Sequence, residues 1–274
     1  MNSFSPPAVL TIASSDSSGG AGIQADLKTF AALEVYGLSV ICTVTAQNTQ
    51  AVTGLESLSP ALISQQLEAV WADLPPAAVK IGLLGPAANA RAIGSFLAAK
   101  AQGVPIIIDP VMVSTSGHVF LTPAETEGLK SLFPLAALIT PNWAETEALT
   151  GIKLTDPDSA ARAAEKLLSL GPQNVLIKGG HQPDGFCSDR LFGQKNQVFD
   201  GPKIRSRNTH GTGCTFSSAI AAFLARGCDL IQAAGLAKDY VTEAIRKAPD
   251  LGRGAGPLHH FHQFYAWNGP GKLP

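Results

Sequence analysis

Short, unbroken apolar runs recur along this chain, and each is followed by a longer stretch with helical periodicity. The runs at 8–13, 38–45, 78–83, 105–108, 136–140 and 175–178 are continuous rather than alternating. A strand that is apolar on both sides is covered on both sides, as in parallel sheets flanked by helices. Helical text occupies 21–33, 60–74, 87–100, 123–132, 142–150 and 158–170. Within 60–74, Ile63, Leu67, Val70 and Trp71 share one face at helical spacing. The pattern predicts an α/β three-layer sandwich, a central and mostly parallel sheet with helices on both faces. After Gly179-Gly180 the text changes. Segments 190–192 and 197–200 predict a hairpin, and 211–226 and 230–247 predict two helices. No repeat or linker divides the 274 residues, so one domain is expected, with loose ends at 1–7 and 266–274. The Gly-, Pro- and His-rich stretch after Asp250 also reads as partly loose.

Charge narrows the function. There are 20 basic and 21 acidic side chains, a net charge of −1. Nucleic acids and anionic membranes favour a basic excess, so neither is expected as a partner. Cys42, Cys187, Cys214 and Cys228 are scattered without a CxxC pair. That spacing suits neither a disulfide scaffold nor a structural zinc site, and it points to a reducing, cytoplasmic setting. The apolar run at 8–13 follows no basic segment and is too short for a signal peptide. No apolar stretch approaches the roughly 18 residues of a spanning helix.

In an open α/β sheet, ligands sit beyond the C-terminal ends of the strands. The most informative text there is Asn208-Thr-His-Gly-Thr-Gly-Cys-Thr215, which opens an apolar helix. Backbone amides around Gly211, Thr212 and Gly213 can form an anion hole. Cys214 would stand in the first helical turn, where the helix dipole lowers a thiol pKa. The plainer reading is a capped helix start with a small buried Cys. Neither a Walker motif nor a Rossmann fingerprint is present. Near strand one, Gly19, Gly20 and Gly22 permit close backbone approach to a ligand. There Asp16 reads as a turn or cap residue, and Asp26, taken alone, as a solvated helix charge. Asp109 and Glu145 follow two strands on one rim and form a carboxylate pair suited to Mg²⁺. They also read as surface acids near helix starts. Lys178 could reach a nucleotide phosphate, or simply snorkel from a strand end. Gln47 and Asn48 could pair with a heteroaromatic ring, or be ordinary loop polarity. His259, His260 and His262 are spaced poorly for one metal and read as loop or docking histidines.

Taken together, seven segments in order resemble one family: Ser15 to Thr29, Thr45-Ala-Gln-Asn48, Lys80-Ile-Gly82, Asp109-Pro-Val-Met112, Thr140 to Glu145, Lys178-Gly-Gly-His181 and Thr209 to Thr215. They resemble the hydroxymethylpyrimidine/phosphomethylpyrimidine kinases of thiamine biosynthesis, in the ribokinase-like superfamily. The resemblance implies a homodimeric enzyme that uses ATP and Mg²⁺ to phosphorylate 4-amino-5-hydroxymethyl-2-methylpyrimidine, then its monophosphate. It implies that Gln47 hydrogen-bonds the pyrimidine and that Ala13, Ser14, Val44, Leu83 and Val111 line it. Asp26 falls in the same substrate-side motif and is expected to bind substrate. Asn142 and Lys178 would serve the nucleotide, and Asp109 and Glu145 the metal. Cys214 would be the general base beside the amides of 211–213. Ser14 stands where Gly is usual and Leu83 where Met is common. Leu for Met keeps volume and apolarity. Ser14 adds a side chain beside the ring, where it can alter the preference between pyrimidine and pyridoxine-like rings. A pyridoxal kinase and a non-catalytic pyrimidine or nucleotide sensor are the alternatives.

Overall fold

A computed structural model describes residues 5–113, 117–180 and 187–266. Nine strands form one sheet: β1 (Ala8–Asp16), β2 (Tyr36–Gln47), β3 (Val52–Ser57), β4 (Ala78–Ile81), β5 (Ile106–Ile108), β6 (Leu138–Ile139), β7 (Asn174–Ile177), β8 (Asp189–Gly193) and β9 (Gln197–Phe199). Their order across the sheet is β3-β2-β1-β4-β5-β6-β7-β8-β9. From β2 to β7 every neighbouring pair is parallel. The edges are antiparallel, β3 on β2 and β8–β9 beside β7. The expected hairpin is therefore present. β3 is an addition that the sequence did not announce, because Val52–Ser57 is mostly exposed and lacks an apolar run.

The described residues hold eight α-helices, six between strands and two after the last: α1 (Gly22–Ala32), α2 (Pro60–Asp73), α3 (Ala87–Lys100), α4 (Pro123–Lys130), α5 (Trp143–Thr150), α6 (Pro157–Leu168), α7 (Thr212–Ala225) and α8 (Leu230–Arg246). Side chains alternate across each central strand. In β5, Ile106 and Ile108 join one core with Ile63, Leu67, Ile93 and Ala163 from the helices of that face. Ile107 joins the other with Phe30 of α1, Ile220 of α7 and Ala237 of α8. This is the expected three-layer arrangement, and the two cores explain why the strands read as unbroken apolar runs.

The stretch after Asp250 departs from expectation. His259, His260 and His262 are buried. The Tyr240 hydroxyl donates to the His260 carbonyl at 2.7 Å, and the His210 amide donates to the Gly256 carbonyl at 3.0 Å. Composition suggested a loop, but long-range hydrogen bonds anchor it. Of the expected loose ends, 1–4 and 267–274 lie outside the described residues, whereas the Pro7 carbonyl already pairs with the Tyr36 amide.

Candidate active site

Three parallel-strand ends and the start of α7 converge on one rim. β1 carries a register shift between Ala13 and Ser14, then ends at Asp16. The Asp16 carboxylate gathers the loop that follows. It accepts from the amides of Ser18 at 2.8 Å, Gly20 at 3.1 Å and Ala21 at 2.8 Å. It also accepts from His210 Nε2 at 2.8 Å. Burial would raise its pKa, but the bonds from His210, Ser18 and Ala21 hold it below the usual carboxylate value. Asp16 is thus a buried organiser rather than an exposed turn residue. The fit is close enough to require glycine. A Cβ on Gly20 would overlap the His210 ring, and one on Gly211 would overlap the Gly20 carbonyl oxygen. Gly211, with φ of 81°, is the N-cap of α7, and no side chain caps the helix. The Thr212 amide donates to the Thr209 carbonyl at 3.2 Å, and the amides on either side of it, at Gly211 and Gly213, are the ones offered to an anion.

Asp109 and Lys178 face this helix start. A Cβ on Gly213 would lie 3.1 Å from Asp109 Oδ2 and 3.2 Å from Lys178 Nζ. Lys178 donates to Asp109 Oδ1 at 2.9 Å and stands 3.9 Å from Glu145 Oε2. Burial disfavours the ammonium, yet Asp109 and Glu145 together keep its pKa above the ordinary value. Glu145 and Asn142 form a capping box on α5, with bonds of 2.7 and 2.9 Å. Burial pushes the Glu145 carboxyl up to about 7, against the pull of Lys178 and with the repulsion of Asp109. Asp109 Oδ2 is buried and has no hydrogen-bond partner among the described residues. A buried carboxylate oxygen without a donor costs on the order of 1–3 kcal/mol unless a ligand completes it. Two carboxylates provide hard oxygen donors, and no group of three His, Cys, Asp or Glu among the described residues could hold a metal. The set fits Mg²⁺, which takes one or two carboxylates and completes its shell with water and phosphate oxygens.

Cys214 differs from expectation in its electrostatics. Burial pushes the thiol up to about 11, although Lys80 pulls it down. Desolvation outweighs the helix dipole here. Asp26 also differs, being fully buried rather than solvated or facing substrate. Its two oxygens lie 3.0 and 2.9 Å from Lys80 Nζ, and it accepts from Thr11 Oγ1 at 2.6 Å and Ser218 Oγ at 2.7 Å. The signal for this pair was a lysine inside the apolar run Ala78-Val-Lys-Ile81.

One cavity of about 800 Å³ joins these parts. Ala13, Ser14, Gln47, Leu83 and Val111 line it together with Asp109, Asn142, Glu145, Lys178 and residues 211–214. Asp26 and Val44 do not line it, and Val44 is 45% exposed on the outer part of β2. Gln47 is tied into the wall, its Nε2 3.4 Å from His210 Nε2 and its Oε1 3.2 Å from Thr45 Oγ1. His210 and Lys80 line the cavity as well, though sequence reasoning gave neither a role. Residue 181, part of one sequence motif, lies outside the described residues.

Known proteins resemble the chain along most of its length. A profile described as phosphomethylpyrimidine kinase matches residues 16–259. A hydroxymethylpyrimidine/phosphomethylpyrimidine kinase from Rhizobium meliloti is 46% identical over 261 residues, 93% of this chain and 97% of the relative. A thiamine biosynthesis bifunctional protein from Geobacter sulfurreducens is 48% identical over 94% of this chain, which spans only 53% of that relative. The crystal structure of phosphomethylpyrimidine kinase from Clostridium difficile superimposes with a TM-score of 0.78 at 46% identity, covering 87% of this chain and 99% of that one. The ADP complex of Bacillus subtilis pyridoxal kinase superimposes with a TM-score of 0.87 at 35% identity, covering 94% and 99%. The sheet order and its two helical layers are the ribokinase-like fold of these kinases. On both sequence and structure, the chain belongs to the phosphomethylpyrimidine kinase family.

Proposed function

We propose that this chain phosphorylates 4-amino-5-hydroxymethyl-2-methylpyrimidine with ATP, then phosphorylates the monophosphate to the diphosphate, as a step toward thiamine diphosphate. The observation that carries the reading is the shared cavity. Gln47 and the apolar wall of Ala13, Leu83 and Val111 stand in the same space as the uncapped start of α7. A flat heterocycle can therefore lie within reach of an anion-binding helix end.

Phosphoryl transfer depends mainly on positioning and charge neutralisation. In the first step a bond forms between the hydroxymethyl oxygen and the γ-phosphorus, and the bond from that phosphorus to the ADP oxygen breaks. The alcohol proton passes to the thiolate form of Cys214, the minor form at neutral pH because burial pushes the thiol up to about 11. The amides of Gly211 and Gly213 hold the migrating group, and Lys178 neutralises its charge. Asn142 keeps Glu145 in place through the capping box. Asp109 and Glu145 would hold Mg²⁺, which would supply charge neutralisation to the ATP phosphates. In the second step the nucleophile is an anionic phosphate, which needs little help from a base. Ser14 borders the ring and is a candidate for tuning ring choice. We assign Asp26 to the wall beneath the cavity rather than to substrate contact.

One observation favours a second reading, kinase activity on pyridoxal. The pyridoxal kinase from Bacillus subtilis superimposes with a TM-score of 0.87, against 0.78 for the phosphomethylpyrimidine kinase. Product analysis separates the two. ATP should be consumed with the hydroxymethylpyrimidine and its monophosphate in preference to pyridoxal, and preference for pyridoxal would overturn the assignment. We further propose that the whole chain works as one kinase domain. A homodimer fits the half-exposed apolar Val44 and Leu55 near the β2–β3 edge. A cytoplasmic location fits four free cysteines. No helix among the described residues is long and apolar enough to cross a membrane.

A further inference from the structure

A buried ion pair between the start of β8 and α8 lines the same cavity but has no part in the reaction as described so far. Lys238 of α8 donates to Asp189 Oδ2 at 2.8 Å and to the Cys187 carbonyl at 2.7 Å. Its Nζ is also 3.8 Å from Cys187 Sγ. These three contacts hold the ammonium against the protein at the cavity wall. Both charged side chains are less than a tenth exposed. A buried pair of this kind contributes little to stability relative to a well-packed apolar pair, so its worth lies elsewhere.

The second oxygen of Asp189 shows where. Asp189 Oδ1 accepts the Gly179 amide at 2.7 Å. Gly179 directly follows Lys178, whose ammonium stands between Asp109 and Glu145. On its other side, the Lys178 amide donates to the Pro141 carbonyl at 2.9 Å. The lysine is therefore pinned before and after its own Cα. Packing leaves no slack. A Cβ on Gly179 would overlap the Ser188 carbonyl, and one on Gly201 would lie 2.8 Å from Lys238 Cε. The Cys187 amide closes the arrangement by donating to the Gly201 carbonyl at 3.0 Å.

We infer that Lys238 is a positioning residue for phosphoryl transfer: acting through Asp189, it holds the Gly179 amide and so fixes where Lys178 presents its charge. The inference rests on the kinase reading above. A misplacement of about 1 Å can cost about 100-fold in rate. The test is Lys238→Met, with kcat and the two KM values measured separately, alongside thermal melting. We expect kcat to fall about 10- to 100-fold while the KM for the pyrimidine stays unchanged, because Gln47 does not belong to this chain of contacts. Should that variant not fold, Asp189→Asn carries the test. An amide can accept from Lys238 or from Gly179 on its one oxygen, so it breaks the relay at nearly constant shape. Parental kcat, or a lowered melting temperature with no loss of kcat, would overturn the inference. A crystal structure of Lys238→Met supplies a readout independent of turnover. If the Gly179 amide and the Lys178–Asp109 contact stay in place, the inference fails. If instead the unsubstituted protein transfers no phosphoryl group to either ring, the kinase reading fails, and a shifted Lys178 in that crystal structure would still support the relay.

Discussion

Removing Lys80 or Asp26 singly should damage the protein more than removing both. The ammonium sits 2.9 and 3.0 Å from the two carboxylate oxygens, and neither side chain is exposed. Breaking such a pair costs about 3–5 kcal/mol, because one charge is left in an apolar interior. The two single changes are not equivalent. In Lys80→Met, Asp26 keeps the hydroxyl donors of Thr11 and Ser218. That loss should fall near 3 kcal/mol, the low end. In Asp26→Leu, the buried ammonium loses its carboxylate, and the loss should approach about 5 kcal/mol. The double variant leaves only two neutral hydroxyls without their acceptor, about 1 kcal/mol each at the low end, about 2 kcal/mol in all. Urea unfolding with an unchanged slope measures all four species. The cycle should give a coupling of about 6 kcal/mol. Asp26→Leu should also melt about 10–20 °C lower than the parent. A double variant whose loss equals the sum of the singles would refute the argument.

The other predictions concern the reaction and its rim. Cys214→Ala should slow phosphorylation of the alcohol more than that of the monophosphate; equal losses in the two steps would leave Cys214 a positioning role only. With its thiol pushed up to about 11, turnover of the alcohol should climb between pH 7 and 9 while that of the monophosphate stays flatter, which parallel pH profiles would detect. Glu145, raised to about 7 by burial, binds its proton more tightly when folded than when unfolded. Its contribution to stability is present below its unfolded pKa and is lost as pH rises from there through about 7, so Glu145→Gln should flatten that part of the melting-temperature profile. Gly211→Ala forces a side chain into a left-handed cap and against the Gly20 carbonyl. It should lower stability by about 1–3 kcal/mol and abolish transfer, and an active, stable variant would show that the amides at this cap are dispensable.

The sheet was legible because its strands are apolar on both sides, and the rim because its segments lie where strands end. Ile106-Ile-Ile108 shows the first point, serving both cores within three residues. What stayed hidden depended on contacts between distant parts of the chain. Asp26 looks like a helix-surface charge until Lys80, 54 residues later, is folded beneath it. Cys214 looks activated by its helix until burial is added. His260 looks like tail text, yet it meets Thr215 at 3.1 Å inside the fold. Val52–Ser57 is invisible as a strand because β2 alone recruits it, without an apolar face of its own.

The contact of Gly211 on Gly20 bears on how the protein is made. These two residues are 191 positions apart in the chain, and the turn proposed to hold the phosphoryl group packs directly on the earlier one. A polypeptide still leaving the ribosome can lay down β1 to β7 before residue 211 has been synthesised. Catalytic competence therefore arrives in the last quarter of translation. On the proposed mechanism, an N-terminal fragment that stops short of α7 lacks both Cys214 and the helix start and cannot act as a partial enzyme.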